Sequence, residues 1–215
     1  DENFYDGNAM SASEVQAFLG SKVSSCAGGA YPCLRDYRQN TPSMAGDRYC
    51  SPMQAVANDS AAGMIARIGQ ACSISQKAML VLLEKEQGIV TASSPGSWAY
   101  NAATGFSCPD TAPCDPSVGG FFYQVYYAAR QFQVYKAQPY YFNHIPFQTN
   151  GVRYSPNASC GSGSVYIENY ATAGLYNYTP YQPNSAALNN LYGTGDGCSA
   201  YGNRNFWRMY TDWFG

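Results

Sequence analysis

A chain of 215 residues that is 46% hydrophobic and 15% aromatic can bury a substantial core, and one compact domain over residues 1–215 is the simplest expectation. Only 12% of residues are charged and the net charge is -2, so the sequence offers no electrostatic footprint for nucleic acid or anionic lipid. It contains no run of about 18 apolar residues, and its first residues lack the basic and apolar regions of a signal peptide, so the chain reads as mature and soluble.

The first element is announced by Ser11 followed by Glu14, a capping box, with Met10 and Val15 placed as a hydrophobic staple and Phe18 and Leu19 at helical spacing. A short helix ending near Gly20 is expected. Residues 21–50, with Gly28-Gly29, Pro32 and Pro42 and little periodicity, read as an irregular loop pinned by cysteines. Ser51-Pro52 has the form of an N-cap with proline at the first helical position, leading a helix toward Ile68. Ser73 and Gln76 form a second capping-box pattern, opening a helix that runs to Gly88.

A loop rich in Ser, Pro and Gly follows at 92–97, then the segment 100–116. Gly119-Gly120 precede a long aromatic helix over about 121–136, and spacings of three and four suggest helices at 164–176, 184–192 and 203–213, with a small hairpin somewhere in 138–158. The expected fold is therefore mainly α, α+β at most through that hairpin.

Eight cysteines, Cys26, Cys33, Cys50, Cys72, Cys108, Cys114, Cys160 and Cys198, accompany a single histidine. A zinc site is disfavoured and disulfides in a secreted, extracellular protein are favoured; no metal or other cofactor is implied. Chain order suggests 26–33, 50–72, 108–114 and 160–198, although eight cysteines allow about 105 pairings. Asn58, Asn157 and Asn177 each open an Asn-x-Ser/Thr sequon, usable for glycosylation in a eukaryotic secretory pathway.

The stretch MLVLLEKEQGIV, residues 79–90, is where chemistry enters. At about 100° per residue Lys77, Glu84 and Lys85 share one side of the helix, while Glu86 falls among Ala78, Met79, Leu82 and Leu83. Glu84 is thus expected on a solvated face near Lys77. Glu86 stands where a leucine would, and a carboxyl that loses hydration suits a general acid; the alternative is a helix-end residue bonded to the following loop.

The run LVLLEKEQGIVTASSPGSWAYNAATGFSCPD resembles the active-site segment of the lysozyme-like superfamily, especially goose-type lysozymes and lytic transglycosylases. There an apolar helix ends in a Glu-Ser corner and a Gly-Leu-Met-Gln loop follows; Lys85-Glu86-Gln87 matches the corner, and Thr104-Gly105-Phe106 matches the loop at its glycine and the apolar residue after it. Gln87 stands for the serine and Ser107-Cys108 for Met-Gln, so contacts made by those family residues do not carry over. The C-terminal half, including Tyr178-Thr179-Pro180-Tyr181-Gln182-Pro183-Asn184, is similar to secreted members of the superfamily, and the chain as a whole resembles the catalytic core of fungal muramidases that occur beside SH3-like wall-binding modules.

The resemblance implies a lysozyme-like fold, bacterial peptidoglycan as partner, cleavage of the β-1,4 bond between N-acetylmuramic acid and N-acetylglucosamine, and Glu86 as the acid. It also favours Asp110, five residues after Gly105, as a water-positioning second carboxylate. Asp115, Glu168, Asp196 and Asp212 are the other candidates, and Asp110 has the alternative role of a turn residue between Cys108 and Cys114.

Twenty tyrosines with interspersed amides suit a sugar groove, for which Tyr100, Tyr123, Tyr178, Thr179, Tyr181, Gln182 and Trp98 are the candidates; Trp207 and Trp213 are expected to seal the C-terminal helix. His144 is expected to be structural, because no Gly-x-Ser-x-Gly elbow precedes it. A monomer is expected. A lytic transglycosylase, a glycan-binding lectin that lacks catalysis, and a disulfide-rich structural protein are the competing readings.

Overall fold

A computed structural model describes residues 1–215 and divides the chain into two compact units, one of Glu2–Gln133 and one of Asp1 with Val134–Gly215. The first contains α1 (Ala12–Lys22), β1 (Arg38–Thr41), β2 (Val56–Ser60), α2 (Ala61–Cys72), α3 (Gln76–Gln87), α4 (Ser97–Asn101) and most of α5 (Phe121–Ala137). The second contains β3 (Gln148–Arg153), β4 (Ser162–Ile167), α6 (Tyr170–Tyr178), α7 (Ser185–Leu188) and α8 (Gly202–Phe214). Both sheets are antiparallel pairs, β1 with β2 and β3 with β4, so the architecture is helices with small two-stranded sheets.

In the first unit α1 starts as its sequence dictates. The Ser11 side chain accepts from the Glu14 N–H, and Glu14 reaches back to the Ser11 N–H at 3.1 Å. The next helix does not begin at Ser51-Pro52. Residues 51–55 stay extended, with Met53 bridged to Met44, and the cap is Ser60, whose hydroxyl accepts from the Gly63 N–H at 2.9 Å. A proline can start a helix, but here the two methionine backbones hold the segment in a bridge and β2 intervenes.

Ser73 is likewise not the cap of α3. It ends α2 in the left-handed region at φ 54, and Ser75 caps α3 by accepting from the Lys77 N–H. Gln76 is fully buried rather than part of a capping box: its carbonyl oxygen accepts from the Met10 N–H, and its amide donates to the carbonyls of Gly7 and Ala66. From Ala78 to Leu83 α3 is buried on every side, the signature of a central helix. Fully buried Phe121, Phe122 and Phe132 of α5 extend this core, with Phe4 against Phe132 at a centroid distance of 5.0 Å.

The second unit departs from the expected helix at 164–176. Residues Ser162–Ile167 form β4, where Tyr166 is exposed and Ile167 buried, and α6 starts only after Asn169, whose side chain accepts from the Thr172 N–H. A period of two overrides a spacing that also fits a helix. The hairpin begins inside 138–158 with β3 but its second strand lies beyond, pairing Gln148 with Ile167 through Arg153 with Ser162. Helix α7 is a single turn, and Arg204 of α8, 5% exposed, donates to the Ala187 and Asn190 carbonyls to dock α8 on it.

Disulfides join Cys26–Cys33, Cys50–Cys72, Cys108–Cys114 and Cys160–Cys198, the pairs that chain order suggested, and no cysteine is free. No helix is long and apolar enough to cross a membrane.

Candidate active site

Buried to Leu83, α3 emerges only in its last turn, and there its polar residues separate in function. Gly88 closes the helix at φ 61, donating its N–H to the Glu84 carbonyl at 2.8 Å. Glu84 is not a solvated charge. Its carboxylate accepts from the Val90 N–H at 3.0 Å, the Thr91 N–H at 3.1 Å and the Thr91 hydroxyl at 2.5 Å, so it pins the loop after the helix. The loop-bonding role weighed for Glu86 therefore belongs to Glu84, because the left-handed Gly88 turns the chain back over that side of α3.

Glu86 has a different environment. Its side chain is 24% exposed, its Oε1 lies 2.8 Å from the Lys85 ammonium, and the Lys85 side chain is only 6% exposed. Lys85, expected with Glu84 on the solvated side, is thus nearly buried beside Glu86. The other oxygen faces Gly105: a Cβ built there would stand 2.8 Å from Glu86 Oε2. Glu86 sits between an ammonium and a glycine backbone rather than in the wholly apolar pocket expected of the stripe.

Gly105 lies at φ +69, and α5 clamps the loop that carries it. Thr104 donates its hydroxyl to the Gln124 carbonyl at 2.8 Å, while the Gln124 amide donates to the carbonyls of Phe106 at 3.0 Å and Val118 at 2.9 Å. Gln124 is 1% exposed, so these bonds are made out of water, where leaving them unmade is costly. Gln87 adds a bond from its amide to the Ala102 carbonyl at 3.1 Å. Phe106 then stacks on Tyr127 at 6.0 Å and Tyr127 on Tyr123 at 6.1 Å, which gives an aromatic row leading away from Glu86.

Of the residues anticipated from sequence, Glu86, Gly105, Phe106 and Tyr123 come together in this arrangement. Asp110 is exposed on the loop closed by Cys108–Cys114 and makes no hydrogen bond. Three of the other four second-carboxylate candidates are bonded elsewhere, Asp115 accepting from the Ser117 N–H and hydroxyl, Asp196 from the Asn184 amide, and Asp212 from the Tyr192 hydroxyl, and the fourth, Glu168, is exposed just after β4. Tyr100 is a core residue, 3% exposed, stacked on Tyr37 at 4.3 Å and donating to the Pro32 carbonyl at 2.6 Å. Burial, with Tyr37 and Asp36 nearby, raises its phenol well above the usual range, so it is no groove hydroxyl.

Trp98 is 59% exposed at the start of α4. Tyr178, Thr179, Tyr181 and Gln182 belong to the second unit. There Gln182 spends its amide on the carbonyls of Val152 and Gly163, Tyr181 bridges Arg153, and the Thr179 and Tyr181 carbonyls accept from the Asn203 amide. Gln182 is thus a hairpin clamp rather than a groove amide. Trp207 does not seal α8 but is 59% exposed.

His144 is structural, with its N–H and ring bonded to Asn177 Oδ1; burial holds its imidazole below the ordinary value, opposed by the Asn177 bond. Asn177 also donates its amide to the His144 carbonyl at 2.9 Å, so its nitrogen is already engaged within the fold. Asn58 and Asn157 are exposed. Among His, Cys, Asp and Glu only Cys26, Cys33 and Asp36 cluster at metal-ligand distances, and both sulfurs are in a disulfide, which leaves no thiolate to bind a metal.

Gln124 and Tyr127 were not singled out by sequence, although Tyr123 and Tyr127 stand one helical turn apart on α5 and so share a face. No family model matches the chain, and no curated protein or solved structure matches it.

Proposed function

We propose that the chain is a muramidase that cleaves the β-1,4 bond between N-acetylmuramic acid and N-acetylglucosamine in peptidoglycan, with Glu86 as proton donor. The observation that carries this reading is the placement of Glu86 at the exposed end of an otherwise buried helix, with Oε2 against Gly105 and an aromatic row starting at Phe106. A clamped glycine lets a polymer approach the carboxyl closely, and aromatic side chains suit sugar C–H faces. Resemblance to the goose-type lysozyme corner supports the same residue.

In the proposed step Glu86 gives its proton to the departing O4 oxygen as the C1–O4 bond breaks. Water adds to C1, and its proton returns to the carboxylate. Asp110, unpaired on its disulfide loop, is the proposed water-positioning group. Four disulfides support secretion into an oxidising space.

The test is mass spectrometry of products from purified peptidoglycan. Reducing ends are expected from the wild type, and Glu86→Gln should lower the rate by about 100- to 10,000-fold while circular dichroism stays unchanged. Products ending in 1,6-anhydro sugar would make the chain a lytic transglycosylase. Binding without cleavage would make it a lectin.

A further inference from the structure

Away from Glu86, the first unit holds an open cleft of about 380 Å³ lined by Met44, Gly46, Asp47, Tyr126, Tyr127 and Arg130. Its floor is rigid. Met44 and Met53 exchange two backbone bonds of 2.9 Å, the Asp47 N–H donates to the Cys50 carbonyl at 2.9 Å, and Cys50 is tied to Cys72 in α2. Gly46 lies at φ +77, and a Cβ there would stand 2.6 Å from the Pro52 nitrogen, so only glycine lets this turn pack against the Ser51-Pro52 backbone. Such a preformed cavity does not have to be organised at the moment of binding.

The polar groups of the cleft are only partly used. Asp47 Oδ1 accepts from the Tyr49 N–H at 2.8 Å and the Cys50 N–H at 3.1 Å, and Oδ2 accepts from Arg130 Nε at 2.7 Å. Arg130 lies over the Tyr49 ring, 4.9 Å from its centroid. Asp47 thus keeps roughly one acceptor position out of about four, and Arg130 keeps the four N–H groups of its two terminal amino groups. As an ion pair the two are neutral together, which fits an uncharged ligand. The excess of donors calls for a strong neutral acceptor such as an amide carbonyl, beside a hydroxyl that donates to Asp47.

Met44 and the tyrosine rings add apolar surface for a methyl group and a pyranose face. Tyr127 connects the two regions, since its ring lines the cleft and stacks on Phe106, the residue after Gly105.

We infer that this cleft is a subsite for an N-acetylated hexosamine of the glycan strand, in which Arg130 donates to the acetamido carbonyl, Asp47 accepts from a sugar hydroxyl, and Met44 and Tyr127 cover the methyl and an apolar ring face. The inference rests on the reading of the Glu86 site as glycan-cleaving. Binding is measured on the full chain carrying Glu86→Gln, with triacetylchitotriose as probe and maltotriose as the neutral trisaccharide without acetamido groups. Calorimetry should give triacetylchitotriose a Kd at least about tenfold below that of maltotriose, and either Arg130→Gln or Asp47→Asn, each checked by circular dichroism, should weaken it by about tenfold. Amide resonances of Gly46 and Tyr49 should shift on titration.

Equal affinity for the two sugars, unchanged affinity in both variants, or shifts confined to Gly105 and its neighbours would overturn the subsite. The two readings fail separately. Binding at Gly46 without wall cleavage by the wild type removes the muramidase and leaves the subsite, whereas cleavage unaffected by Arg130→Gln and Asp47→Asn removes the subsite alone.

Discussion

At Gly105 two constraints coincide, a φ of +69 and a carboxylate oxygen 2.8 Å from where a Cβ would be. Gly105→Ala is expected to cost about 1–2 kcal/mol from the left-handed backbone. It should also push Glu86 aside, so that wall cleavage falls further than the fraction unfolded accounts for; thermal melts beside product assays measure both. Glu84 gives the opposite pattern. Glu84→Ala removes the acceptor of three bonds from Val90 and Thr91, two of them to backbone, and should cost about 2 kcal/mol while the rate per folded molecule holds. Chemical denaturation with activity per folded molecule distinguishes the pair, and a loss of turnover in the Glu84 variant alone would mean that the two carboxylates have been assigned the wrong way round.

Among the elements, α5 does most to shape the candidate site, through Gln124. Its side chain accepts from the Thr104 N–H and donates to the Phe106 and Val118 carbonyls, and Gln124→Leu would leave those two carbonyls without that partner inside the fold. The expected cost is about 3 kcal/mol or more. Amide exchange should speed up from Thr104 to Val118 and not in α1, which hydrogen exchange by mass spectrometry resolves. Element boundaries were legible where a cap and a period agreed, as at Ser11 and Gly88. Ser51-Pro52 and Ser73 carried cap chemistry too, but Ser60 and Ser75 hold the caps, because a local motif competes with every other way to satisfy the same backbone groups.

Across the whole chain the single histidine provides a pH probe of the second unit. Burial lowers the His144 value from 6.5, against the Asn177 bond, so the folded state takes up a proton less readily than the unfolded chain. Its contribution to stability is therefore complete above 6.5 and is lost as pH falls through the lowered folded value. Thermal melts between about pH 7 and pH 5 should show the midpoint falling, and His144→Leu should have a shallower dependence than wild type. Equal slopes would show that His144 is not protonation-linked to folding.

Composition and spacing alone determined the disulfide-bonded chemistry and the helices at α1, α3, α5 and α8, because each depends on residue type and short-range period. The chain-order cysteine pairs also match the bonds formed, three of them within the first unit and Cys160–Cys198 within the second. Only the tertiary structure decided what the polar residues do. Tyr100 and Gln182 had the composition of groove residues, yet their polar atoms meet the Pro32 carbonyl and hairpin carbonyls. Glu84 and Glu86, two positions apart on one helix, have different surroundings: Glu84 accepts from the loop that follows, while Glu86 pairs with Lys85 of its own helix and faces Gly105. A helical wheel gives the direction a side chain leaves its own helix, but the donor or acceptor it meets is set by how the rest of the chain folds back, whether at Val90 just past the helix or at Pro32 much earlier in sequence, and no local period encodes that.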